Sequence, residues 1–104
     1  MMRADGVMYL GFESPLVTRS LDGIFTLTLR AVDRIKPPVI ERWRVMWHGD
    51  EAEAFWVRNQ YKLIAGQAIF VSAGSLKAFT NGGFASAEMH AQASQVRIFK
   101  EPTP

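Results

Sequence analysis

Apolar and polar positions alternate most cleanly between Phe25 and Ala31, where Phe25, Leu27, Leu29 and Ala31 interleave with Thr26, Thr28 and Arg30. A period of two sends one set to a buried face and the other to water, so the segment predicts a half-buried strand. The same period returns from Ile40 to His48. Odd positions there carry Glu41, Trp43, Val45 and Trp47; even positions carry Ile40, Arg42, Arg44, Met46 and His48. One side of that strand is apolar and aromatic, and the other is basic. Upstream, Val7 to Phe12 is a short apolar run closed by Glu13-Ser14-Pro15. It predicts a first strand, which Leu16 to Ser20 continues, and Asp22-Gly23 is a hairpin turn signal.

Between Val32 and Pro38 the alternation stops, and neither Pro37 nor Pro38 can donate to a ladder, so a loop is expected there. After His48-Gly49 the period changes. Ala54, Val57, Tyr61 and Ile64 recur at helical spacing and predict a helix from Asp50 to Ile64 with these four as its core-facing stripe. Asp50 with Glu53 fits a capping box, the acidic first turn suits the helix dipole, and Gly66 is a C-terminal stop. A strand from Gln67 to Ala73 follows. From Ser75 the chain turns polar through Lys77, Phe79, Asn81, Gly82 and Gly83, which predicts a long hairpin before a last strand from Ala85 to Phe99. Within that strand Met89, Ala91 and Ala93 share one parity and Val96 and Ile98 the other. A one-residue bulge near Ser94 would return them to a single face.

A strand, helix, strand run inside an otherwise β chain is the connection of an OB-fold. The expected architecture is therefore all-β: a five-stranded Greek-key barrel with one helix between strands three and four. Residues 1–100 would form the single domain and 101–104 a short unstructured tail.

With 104 residues the chain can build one core. Its 48% apolar and 21% charged residues are those of an ordinary globular protein, so no disordered class is needed. It has no cysteine, which excludes disulfides, thiolate catalysis and cysteine-based zinc sites. Apolar runs are a few residues long, far short of a membrane span. Met1-Met2-Arg3 leads to Asp5 with no apolar segment between, so no secretory signal is expected and a cytoplasmic, membrane-free location is. The net charge of +2 says little about partners, but its distribution says more. Arg30, Arg34, Lys36, Arg42 and Arg44 lie close along the chain, opposed there by Asp33 and Glu41 alone. Such a stripe suits a polyanion, the alternative being a solvated charged face.

Catalysis is not expected. His48 and His90 are the only histidines and lie far apart, with no metal-ligand spacing around either. No Gly-x-Ser-x-Gly elbow is present. Gly82-Gly83 lacks the preceding strand and the following helix and lysine of a phosphate loop. Neither a metal nor a cofactor is implied.

Several stretches together resemble the bacterial single-stranded DNA-binding protein family. They are Val7-Met8-Tyr9-Leu10-Gly11, then Pro15, Asp22-Gly23 and the strand from Phe25 to Ala31. Trp43-Arg44-Val45-Met46-Trp47-His48-Gly49 with Ala52-Glu53 resembles the family's aromatic strand, glycine and helix start. Gly66 to Ala73 is similar to its glycine and apolar strand. Met89-His90-Ala91 with Val96 to Phe99 is similar to its closing strand, and also to that of primosomal replication protein N. The resemblance covers residues 7 to 99. Three features depart from the pattern: a longer helix, Ala73-Gly74 where a glycine closes strand four, and a chain ending at Pro104 with Glu101 as the one acid of its last residues. Housekeeping members carry a long linker and an acidic recruiting tip, so no such recruitment is expected here.

The resemblance implies non-specific binding of single-stranded DNA, in replication, recombination or repair, by a homodimer or homotetramer whose edge strand near residues 7 to 12 is a pairing surface. RNA is the alternative strand type, because stacking and phosphate contact serve both. Binding of this kind needs cations for phosphates and flat faces for bases, with stacking contributing about 1–3 kcal/mol per base. Arg42 and Arg44 share one strand face and resemble the family's DNA-facing strand. Trp43 and Trp47 have the opposite parity, which places them in the core or at a subunit interface, whereas the family puts aromatics of this strand against bases. A slip of one residue exchanges the two faces. Phe79 and Phe84, beside Lys77 in the polar hairpin, are candidates for base stacking or for self-packing. Arg30, Arg34 and Lys36 are candidate phosphate contacts at the barrel rim, and Trp56 is expected to pack. The competing class is a protein-interaction OB module, a replisome accessory whose basic strand docks an acidic peptide.

Overall fold

In the computed structural model of the protein, the backbone is described for residues 3–36, 39–80 and 87–99, and side chains for residues 5–33, 42–74 and 90–99. The strands are β1 (Arg3–Leu10), β2 (Leu16–Arg19), β3 (Phe25–Lys36), β4 (Val39–His48), β5 (Ala68–Thr80) and β6 (Ala87–Ile98). Helix α1 (Asp50–Asn59) and a 3-10 turn (Gln60–Lys62) lie between β4 and β5. Neighbouring strands run β1-β5-β6-β4-β3, and Tyr9 and Leu10 of β1 pair with Val32 and Ala31 of β3 to close the ring. The β4–β6 pair is parallel and the others antiparallel. Strand β2 continues the first-strand segment outside the ring, paired to β3. The result is the five-stranded OB barrel expected, with one helix between its third and fourth strands. Among the described residues, no helix is long and apolar enough to cross a membrane.

Alternation fills the barrel. Leu27, Leu29, Val45, Ile69 and Val71 are the largest wholly enclosed side chains, contributed by β3, β4 and β5. Full burial of such a side chain stabilises by about 1.5–3 kcal/mol. In β6 both Ala91 and Val96 are buried despite their opposite parity. Ser72 pairs with Gln95 and Ala73 with Ala93, so Ser94 is the extra residue, bulged as its parity change required. Its hydroxyl donates to the Ser72 carbonyl at 3.2 Å.

Four expectations need correction. First, Val32 to Lys36 is not loop: β3 stays paired to β4 through Asp33↔Glu41 and, after an irregularity, Lys36↔Val39, so the connection falls at Pro37 and Pro38, outside the described residues. Second, the polar stretch from Ser75 is strand as far as Thr80, paired with β6 down to Thr80↔Ala87. In both hairpins the ladder's backbone hydrogen bonds carry pairing past the end of the apolar pattern, where side chains no longer announce it. Third, α1 ends at Asn59 and is capped by Gly49 (φ 107°) with no side-chain cap. Because Asp50 is already helical, it does not form the capping box, and the Glu53 carboxylate instead pairs with the Arg19 guanidinium.

Fourth, Ala54, Val57, Tyr61 and Ile64 face outward, and Ala52, Phe55 and Leu63 face the core with Trp56 half-buried beside them. Two stripes at helical spacing were available. The one carrying Phe55, with Trp56 beside it, removes more apolar surface from water than the one carrying Tyr61 and wins. Phe55 packs against Trp47 with ring centroids 5.6 Å apart and planes tilted 56°. Gly66 (φ 87°) forms the turn into β5 rather than ending α1, and its N–H donates to the Leu10 carbonyl at 2.8 Å, tying that turn to β1.

Candidate nucleic-acid interface

The positions not used by the core form the outer face of β3, β4 and β6. Pairing lines them up in rows across the strands. In the central row Arg30 of β3 opposes Arg44 of β4, Arg44 neighbours His90 of β6, and His90 opposes Lys77 of β5. Four residues of basic type thus occupy one line across four strands, at steps of about 4.8 Å. A second row, two residues along, runs Val32, Arg42, Glu88, Phe79. On the other side a third row runs Leu16, Thr28, Met46, Gln92, Gly74. The rows lie about 7 Å apart, two residues of strand rise.

Arg42 is exposed, and Arg30, Arg44 and His90 are half-buried on this face. Like charges placed directly opposite on neighbouring strands destabilise a sheet. Arg30 and Arg44 occupy such opposed positions on this face. At one end of the face His48 is held by Thr26, whose Oγ1 lies 2.7 Å from the imidazole Nδ1.

The structure gathers Arg30, Arg42 and Arg44 on one surface and gives Lys77 and Phe79 register positions in the same rows, in strand β5 and not in a loop. Arg34 and Lys36 occupy the far end of β3, paired with Ile40 and Val39, again in strand. Their side chains, like those of Lys77 and Phe79, are outside the described set, and Phe84 lies outside the described residues altogether. Trp43 and Trp47 are 7% and 6% exposed. Both indoles lie on the strand's inner parity as part of the core. Trp56 packs against the core as expected. His90, Met46 and Thr28 belong to the face but were not read from the sequence. Their parity was available, but the neighbours of Thr28 depend on the β2–β3 and β3–β4 registers, and those of Met46 and His90 also on the parallel β4–β6 register, which no local turn fixes. Among the described residues no group of three His, Asp or Glu could hold a metal ion.

No protein-family model matches the sequence, and no curated protein does. Solved structures match its fold. The SSB domain of a Synechococcus protein superposes with a TM-score of 0.63 over 92% of this chain and 93% of its own, at 13% identity. The mitochondrial single-stranded DNA-binding protein of S. cerevisiae gives 0.65 over 97% and 96%, at 9% identity. The single-stranded DNA-binding protein of Thermus aquaticus gives 0.64 over 94% of this chain and 50% of its own, at 19% identity. The chain therefore has the OB-fold of single-stranded DNA-binding domains, in agreement with the resemblance read from its sequence.

Proposed function

We propose that the protein binds single-stranded DNA without strong sequence preference, across the outer face of β3, β4 and β6, and serves replication, recombination or repair in the cytoplasm. The observation that carries this is the row Arg30, Arg44, His90, Lys77, which no apolar core needs and which sets like charges side by side. Phosphates would lie over that row, with bases over the flanking rows, where Met46 and Leu16 offer apolar contact on one side and Phe79 holds a register position on the other. Arg42 adds a cation at the edge of the track. Solved domains of the same fold, named as single-stranded DNA-binding, support the same reading.

Assembly would extend a short track by multivalency. Strand β1 is paired along one side with β5 from Arg3 to Tyr9, and on the other side meets β3 at Tyr9 and Leu10 alone. The remaining edge is where a second copy would add its own strand to make a homodimer, or a tetramer by further contacts. A strict monomer in light scattering at micromolar concentration would refute this part.

Because Trp43 and Trp47 are buried, fluorescence anisotropy of a labelled thymidine oligomer tests binding better than tryptophan quenching. Saturable binding at low salt is expected. With three to four phosphate contacts its logarithm should fall against log salt with a slope of about −2 to −3. No anisotropy change at low salt overturns the reading in favour of a protein-interaction module that uses the same basic face.

A further inference from the structure

The Arg30 end of the basic row opens into a surface groove of about 580 Å³, on the flanking row of Leu16 and Met46, whose lining adds a carboxylate that phosphate binding alone does not call for. Its walls are Leu16, Met46 and Thr28, its cations are Arg30 and Arg44, and the segment after β1 contributes Glu13 and Ser14. Leu16 is 57% exposed, a large aliphatic side chain presented to solvent opposite Thr28 in the flanking row. A base whose phosphate lies on Arg30 or Arg44 would reach that row, about 7 Å away, and rest its ring on Leu16 and Met46.

Glu13 is the unexpected member. An ionised carboxylate repels a phosphate and can only accept hydrogen bonds, so beside two arginines in a track for a polyanion it opposes non-specific binding. It helps only where the ligand brings donors. The exposed carboxylate lies beside Gly11: a Cβ there would come within 2.9 Å of Glu13 Oε2, while the nearest backbone atom it would meet, the Arg30 carbonyl oxygen, is 3.7 Å away. The lack of a side chain at residue 11 leaves room for the carboxylate over the chain where it crosses β3.

We infer, resting on the DNA-binding function proposed above, that this groove takes a single nucleobase and that Glu13 makes it prefer guanine. Unpaired bases expose their Watson–Crick edges. Guanine presents two adjacent donors there, N1–H and the N2 amino group, which match the two oxygens of one carboxylate. Cytosine and adenine present one amino group beside a ring-nitrogen acceptor that a carboxylate repels. Thymine presents N3–H between two carbonyl oxygens. Good bidentate contacts discriminate by roughly five- to a hundredfold in affinity.

The test compares an all-thymidine oligomer with the same oligomer carrying one central guanine, by competition anisotropy, for the wild type, Glu13→Gln and Gly11→Ala. The wild type should favour the guanine oligomer by about tenfold or more. Glu13→Gln, which keeps shape and removes the charge, should bring the two within about twofold, mainly by tightening thymidine binding. Gly11→Ala, which keeps the charge and displaces the carboxylate, should also erode the preference. Equal wild-type affinity for both oligomers overturns the inference and leaves DNA binding standing. A Glu13→Gln variant that tightens both oligomers equally overturns it too, because Glu13 then merely repels phosphates. Failure of either oligomer to bind overturns this inference together with the function it rests on.

Discussion

The inner and outer faces of β3, β4 and β6 are made from alternate residues of the same strands and obey different physics. On the inner face Leu27, Leu29, Ala31, Trp43, Val45, Trp47 and Ala91 are buried, and what they contribute depends on shape and volume. On the outer face Arg30, Arg42, Arg44 and His90 stand beside Thr28 and Met46, and what they contribute depends on charge, range and salt. Thr28, Arg30, Arg44 and Met46 are each flanked along the chain by two buried residues. Stability and binding are thus separated by one residue of sequence, and neighbouring substitutions should give different phenotypes.

The largest effect should come from the inner face. Leu29 is 1% exposed, and Leu29→Ala should cost about 2–5 kcal/mol in chemical denaturation, a large part of the 5–15 kcal/mol that holds a typical domain. A loss under about 1 kcal/mol would mean the inner face is not packed as described. Next comes the outer face. Charge-assisted hydrogen bonds contribute about 1.5–3 kcal/mol each, so Arg42→Ala with Arg44→Ala should weaken oligonucleotide binding by at least about tenfold. The double variant should also flatten the salt slope by about 1.4 while the protein remains folded. Unchanged binding would move the site off this face. A smaller effect is expected at His90, central in the basic row. His90→Gln, which replaces the imidazole with an amide of different reach and no basic nitrogen, should lose about two- to fivefold in affinity, and His90→Lys should gain. A gain on His90→Gln would show that the row does not meet phosphates at that position.

How much of this was legible in the sequence follows from the range of the interactions involved. The faces of β3 and β4 were readable because a period of two is local, and so was the Ser94 bulge, where parity itself changes. The phase of α1 was not readable. Ala54-Val57-Tyr61-Ile64 and Ala52-Phe55-Leu63 are both helical stripes, and the choice between them rests on tertiary packing such as that of Phe55 against Trp47 of β4. Strand beyond the apolar pattern, from Val32 to Lys36 and from Ser75 to Thr80, was missed because a partner's backbone holds it, which composition does not record. The basic row was half legible. Arg30, Arg42 and Arg44 could be assigned to an outer parity, but Arg30 meeting Arg44 depends on the register of the hairpin. His90 meeting Lys77 depends on the irregularities at Ser72/Ala73 and Gly74/Lys77, which shift β5 against β6. A shift of one residue exchanges the faces, so these positions follow from the assembled barrel and from no single segment.

The two faces of α1 extend the same contrast and give the smallest predicted effect. Phe55 is buried against Trp47, whereas Val57, two residues on, is 65% exposed. Val57→Ser removes a β-branched apolar side chain from a solvated helix surface and makes no cavity. It should shift stability by no more than about 0.5 kcal/mol, as surface substitutions usually do. Phe55→Ala should cost about 3–5 kcal/mol, because a large ring leaves an enclosed space. Both are read in the same denaturation experiment, repeated at two protein concentrations. Equal small losses would mean that the helix is not docked through Phe55. A large loss for Val57→Ser that grows with protein concentration would mean that this apolar stripe is covered by another copy of the chain, so that the helix has no solvent face for Val57 to occupy.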